Sequence, residues 1–157
     1  MNPDNIQPPS FKYFASLNVE VGTPQEVGNV GGGVRRLIPI LGGSVSGIGW
    51  AGRVLPGGAD YQWVIESRRA QLVARYVLET DGGDLIYVVN RGIRSGPPDA
   101  LAHLQRGEPV APDTVYSLGS PAFETASPSL GWIADRIFIA KGRRLPDRVE
   151  MQIFEIG

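Results

Sequence analysis

Between Trp50 and Asn90 the chain carries four runs rich in β-branched and aromatic residues: WAGRVL, DYQWVI, AQLVARYVLE and LIYVVN. The joints between them, PGGA, ESRR and TDGGD, carry turn chemistry, so the stretch reads as a continuous antiparallel meander. A meander of this length cannot end in open edges without exposing rows of unpaired backbone donors and acceptors. It therefore closes into a barrel or folds into a sandwich. The runs FASLNVEVG, RRLIPILGG, VYSLGSPAFET, LGWIADRIFIAKG and RVEMQIFEIG add further strands, and the second of these is expected to end at Gly42-Gly43. The expectation is an all-β chain of about 8–9 strands.

One stretch breaks the pattern. In SGPPDALAHLQRGEPV, Pro97 and Pro98 can open a helix, Asp99 suits its first turn, and Leu101 and Leu104 share a face. Gly107 can stop it, which predicts one short helix near 98–106. Residues 1–12 read as a flexible tail ahead of a single domain over 13–157. The 21 glycines and 13 prolines are spread along the chain rather than gathered in one tract, as many short elements joined by turns require.

Charge and absences narrow the function classes. With 15 basic and 16 acidic residues and no basic stripe, nucleic acid is a poor partner. No apolar run reaches membrane-spanning length, and MNPDNIQPPSF lacks the parts of a signal peptide. The chain has no cysteine, which removes disulfides, thiolate nucleophiles and thiolate zinc, and makes the cytoplasm the expected compartment. His103 is the single histidine, so a multi-histidine metal site is excluded, and its place in the short helix reads as surface or packing. No cofactor and no metal are expected. GNVGGGV resembles a phosphate loop, but a nucleotide site needs a helix directly after the glycines, and the β-branched VRRLIPIL follows instead. Asp81 and Asp84 flank a Gly-Gly turn without the spacing of a calcium loop.

Register places the candidate site. A four-residue loop over 66–69 pairs Ile65 with Ala70 and so puts Asp60 opposite Arg75. A two-residue turn at Gly82-Gly83 then puts Arg75 opposite Asn90, and PGGA puts Leu55 opposite Asp60. Asp60, Arg75 and Asn90 become lateral neighbours on one face, with Gln62 and Arg53 in the next row. The opposite face, with Tyr61, Trp63, Leu72, Ala74, Tyr76, Leu78, Leu85, Tyr87 and Val89, is more apolar. Two readings stay open: a solvated ladder of cross-strand pairs over an apolar core, or a polar lumen inside a barrel whose aromatic face is covered.

RLIPILGGSVSGIGWAGRVLPGGADYQWV, ARYVLETDGGDLIYVVNRG, GPPDALAHLQRGEPV and SPAFETASPSLGWIADRIFIAKG resemble, in order, the blocks of a family of small uncharacterised proteins. That family is the domain of unknown function three-two-three-seven, and the likeness covers about residues 15 to 157. It implies a single antiparallel β-barrel like that of allene oxide cyclase, broadly lipocalin-like, with frequent self-association and no settled activity. It adds weight to the lumen reading, because such barrels hold small ligands in their mouths. The chain departs from the family pattern with Leu118 and Ala122 where arginine is usual and Ala134 for asparagine, which implies a more apolar end to the pocket.

Asp60 is the acid–base candidate, Arg75 a clamp for a carboxylate or enolate oxygen, and Glu124 a second acid. Asn90, Gln62 and Arg53 are expected to bind ligand, and Tyr116 and Trp132 to stack on it. The expected function is a cofactor-free isomerase, cyclase, dehydratase or lactone hydrolase. The alternative is a non-catalytic small-ligand-binding barrel. Either would take a small organic ligand, anionic or aromatic, and self-association as a homo-oligomer is expected.

Overall fold

The computed structural model describes residues 5–111 and 113–157. Its strands are β1 (Phe11–Val21), β2 (Gln25–Asn29), β3 (Val34–Gly47), β4 (Trp50–Val54), β5 (Ala59–Ile65) and β6 (Arg69–Thr80). They continue as β7 (Leu85–Ser95), β8 (Tyr116–Thr125), β9 (Ile137–Arg144) and β10 (Arg148–Ile156). One helix, α1 (Pro98–Gln105), joins β7 to β8, where the proline pair predicts it. A 3₁₀ helix (Gly131–Asp135) precedes β9.

The sheet runs β1-β10-β9-β8-β7-β6, passes to β4 and β5, then to β3, and returns to β1. This is a closed antiparallel barrel, as expected, and closure removes the edges that an open meander would expose. β4 and β5 do not form a hairpin with each other. Each pairs with both β3 and β6, so they are two halves of one stave interrupted at 55–58. Leu55 and Asp60 are therefore not paired. β3 also runs through Gly42-Gly43 instead of ending there. Gly43 adopts φ +136°, and a Cβ at that position would collide with the Asn18 carbonyl oxygen. Glycine lets β3 bend sharply against β1 at that point, where the pairing register shifts. β1 opens at Phe11; residues 1–4 of the expected tail lie outside the described residues.

Both hairpin registers differ from expectation by one residue. Ile65 pairs with Arg69 across a three-residue turn, in which Glu66 and Ser67 take left-handed φ values of 52° and 54°. Nothing in Glu-Ser-Arg-Arg advertises left-handed positions, which favour glycine or asparagine. The next turn also holds three residues: Thr80 N–H donates to Asp84 O at 2.8 Å, and Gly83 takes φ +92°. A type I turn closed by a left-handed glycine has this form.

The two slips offset each other. Asp60 pairs with Ala74, and Ala74 with Asn90, so Asp60 and Asn90 share a row with Ala74 between them rather than Arg75. Arg75 pairs with Val89 and turns to the outer face.

Inward-facing positions divide the barrel into a filled half and a hollow half. At one end Phe14, Phe123 and Phe138 lie with ring centroids 4.9–5.8 Å apart, and Trp50 and Trp132 pack on Phe14. Leu78, Ile86, Val88, Ile133 and Ile153 complete this plug, each at most 1% exposed. At the other end the row Gly92, Gly119, Ala140 puts three small residues side by side on β7, β8 and β9. Side chains that short cannot meet across a barrel of eight staves, so a hollow remains. Leu101 and Leu104 seat α1 beside it, and exposed His103 bonds to Glu108 on the outside. No helix among the described residues is long and apolar enough to cross a membrane.

Candidate functional site

The hollow is a cavity of about 650 Å³, within the usual range of small-molecule sites. Most of its wall is aliphatic, from Val19, Val21, Ile38, Ile40, Val149 and Met151. The loop after α1, the start of β8 and the β9–β10 turn form its rim, where Gly107 lies against Pro146.

Polar side chains reach the interior from several staves. On β5, Asp60 and Gln62 point inward, and the Gln62 amide donates to Asp60 Oδ2 at 2.9 Å. Gln62 is 2% exposed, and its Oε1 accepts from Arg36 Nη1 at 3.2 Å. Arg36, on β3, donates a second bond to the Gln105 carbonyl at the end of α1, 2.9 Å away. Its Nε is ion-paired with Glu26 at 3.0 Å without the alignment of a hydrogen bond. The lumen carboxyl is thus held by a chain of side chains running back through the wall to α1 and β2.

The other Asp60 oxygen, Oδ1, is buried with no partner among the described residues. Burial pushes the Asp60 pKa above the ordinary carboxylate value. The Gln62 bond and then the charges of Arg94, Arg144 and Arg36 work against that rise.

Tyr76, on β6, is 3% exposed and its hydroxyl also lacks a partner. Burial, with Asp60 adding to it, pushes the phenol pKa up, so it stays protonated at neutral pH. Gly58 makes room for it, because a Cβ there would collide with the β6 backbone beside Tyr76. Asn90, on β7, lies over Gly119, where any Cβ would strike its Oδ1, and that oxygen is buried and unpartnered.

Arg94 follows on the same face of β7, four residues along, and is 9% exposed. Among the described residues it makes no hydrogen bond and no ion pair. Burial lowers its pKa, the Asp60 charge opposes that, and the like charge of Arg36 adds to it. Arg144 enters from β9; burial and then Arg94 and Arg36 lower its pKa. Its one bond is a long contact of 3.4 Å to the Arg148 carbonyl.

Of the residues named from the sequence, Asp60, Gln62 and Asn90 line the cavity and Tyr116 stands at its rim, 57% exposed. Arg75 does not: it donates to the Tyr87 hydroxyl on the outer wall at 2.9 Å. Arg53 is also outside, ion-paired with Glu79 at 3.0 Å. Glu124 pairs across to Tyr87 on that outer face and is exposed. Trp132 belongs to the aromatic plug at the far end, its ring 5.7 Å from Phe14.

The residues sequence reasoning missed are Tyr76, Arg94, Arg36 and Arg144. With the true turn lengths, period-two counting from Asn90 reaches Arg94, and from Ala74 reaches Tyr76. For Arg36, alternation with Ile38 and Ile40 on β3 was the available signal.

The sequence model of a family described as "Protein of unknown function (DUF3237)" matches residues 9–156. A UPF0311 protein of Rhodopseudomonas palustris is 42% identical over 145 residues, 92% of this chain and 95% of that one. A β-barrel-like protein from Acinetobacter baumannii superposes with TM-score 0.85 at 34% identity, covering 98% of this chain and 99% of the other. A structure described as an enzyme from Penicillium herquei superposes with TM-score 0.73 at 16% identity, covering 98% of each, and at that identity shares the fold alone.

Proposed function

This chain belongs to the DUF3237 family, described only as proteins of unknown function, and from its lumen we propose an acid–base enzyme acting on a small molecule with its own side chains. The observation that carries this reading is Asp60 itself: a buried carboxyl on the wall of a cavity of about 650 Å³, with one oxygen held by Gln62 and the other without a partner among the described residues. A carboxylic acid whose pKa burial raises can hand its proton to a ligand oxygen. The carboxylate left behind sits in the field of Arg94, Arg144 and Arg36 and then serves as the base that takes a proton from carbon. Tyr76, protonated, and Asn90 Oδ1, an acceptor only, orient the ligand by one donated and one accepted bond. Proton delivery to oxygen and removal from carbon together make an isomerisation, a cyclisation or a dehydration; water in place of the carbon acid makes a lactone hydrolysis. A relative in fold alone, the Penicillium herquei protein, is described as an enzyme, which is consistent with barrels of this shape supporting chemistry.

Native mass spectrometry of the purified protein identifies any co-purified small molecule, which is then incubated with the protein in D₂O and followed by NMR. Wild type is expected to convert it or load deuterium at carbon. Asp60→Asn is expected to slow this by about 10²- to 10⁴-fold with binding little changed. An unchanged rate in Asp60→Asn refutes the catalytic role, and binding with no conversion by wild type leaves a ligand carrier.

A further inference from the structure

The guanidinium of Arg94 is the least explained group in the molecule. It is 9% exposed, it lines the cavity, and no acceptor among the described residues meets it. A buried charge left without a partner is costly, and a fold keeps one where something else supplies the countercharge. Asp60 lies in its field but makes no ion pair with it among the described residues, and its Oδ2 is taken by Gln62. Arg144 enters the same cavity, so two like charges share the hollow. The other acid on the wall, Asp113, is exposed at the rim.

We propose that the lumen binds a small amphiphilic carboxylate, its anionic group held by Arg94 with Arg144 and its apolar body laid along the aliphatic wall of Ile38, Ile40, Val149 and Met151. This deepens the acid–base reading of the same site by naming its substrate class. A planar guanidinium matches a carboxylate by two parallel bonds, and two cations on the wall favour an anionic group. Anchored at Arg94, the body of the ligand passes over Gly92 and Ala74, where no long side chain intervenes, and comes beside Asp60 Oδ1, Tyr76 and Asn90.

The test uses the intact protein and three probes of equal chain length: decanoate, decanol and decylamine, with affinities measured by calorimetry at neutral pH. Decanoate is expected to bind wild type at least about tenfold tighter than decanol, as one charge-assisted bond pair warrants, with decylamine weakest. Arg94→Gln is expected to remove that preference while leaving decanol within about threefold, and Asp60→Asn to leave decanoate binding intact. Equal binding of decanoate and decanol to wild type, no decanoate binding at millimolar concentration, or an Arg94→Gln variant that still prefers decanoate overturns the proposal. Should Arg94→Gln not fold, Arg94→Lys keeps the charge without the fork and is expected to lose part of the preference; full retention overturns the paired-bond geometry. Because these readouts involve no turnover, failure here is distinct from failure of the acid–base role, which only the Asp60→Asn rate decides.

Discussion

Replacing Arg94 by methionine tests in one measurement whether this residue serves the ligand or the fold. The side chain is 9% exposed and makes no hydrogen bond or ion pair among the described residues, so its charge is largely desolvated on folding with only the nearby Asp60 to offset it. Methionine keeps a long unbranched stem of similar reach and removes the charge. Exchanging poorly compensated buried ions for apolar residues of similar volume has stabilised other proteins by about 1–4 kcal/mol. Loss of the attraction between Arg94 and any ionised fraction of Asp60 trims the gain, so about 1–3 kcal/mol is expected. Unfolding entropy near 2.1 cal/mol/K per residue turns each kcal/mol into about 3 °C for 157 residues. Arg94→Met should therefore raise the ligand-free Tm by about 3–9 °C, read by calorimetry or circular dichroism, with an unchanged denaturant slope. A fall in Tm would show that Arg94 is a structural partner whose removal orphans another group, and the argument for an absent anion would go with it.

Two further outcomes concern stability. In the folded state the Asp60 pKa is raised, so below the unfolded value near 3.9 both states hold the proton and folding bears no cost, whereas the cost grows as pH rises toward the folded value and is complete above it. Asp60→Asn, which cannot ionise, should fold normally and gain on wild type in urea unfolding as pH rises above about 4, levelling off once the folded-state pKa is passed; an advantage that nowhere grows above about pH 4 contradicts the burial. Phe138→Ala, in the aromatic plug and 0% exposed, should cost about 3–5 kcal/mol in the same assay. A cost under 1 kcal/mol would mean that the filled end of the barrel is not the folding core.

The sequence by itself determined most of the elements, because their signals are local, although β2 and the run of β3 through Gly42-Gly43 escaped it. Alternating β-branched runs made the strands, and the Pro97-Pro98 pair opened the helix at Pro98. The acid and amide of the candidate row, Asp60 and Asn90, were legible too, although by two register errors that cancelled. What only the tertiary structure decided is which side of each strand is inside. That depends on turn lengths, and one residue more or less in a turn exchanges the two faces of a strand. The turn at Glu66 and Ser67 carries no glycine to betray its left-handed backbone, so Arg75 reads as a site residue and proves to be outside; Arg53 is outside too, because β4 and β5 are two halves of one stave and not a hairpin. Closure also brought together what lies far apart along the chain, setting Asp60 of β5, Arg94 of β7 and Arg144 of β9 around one hollow that small residues at 92, 119 and 140 leave open.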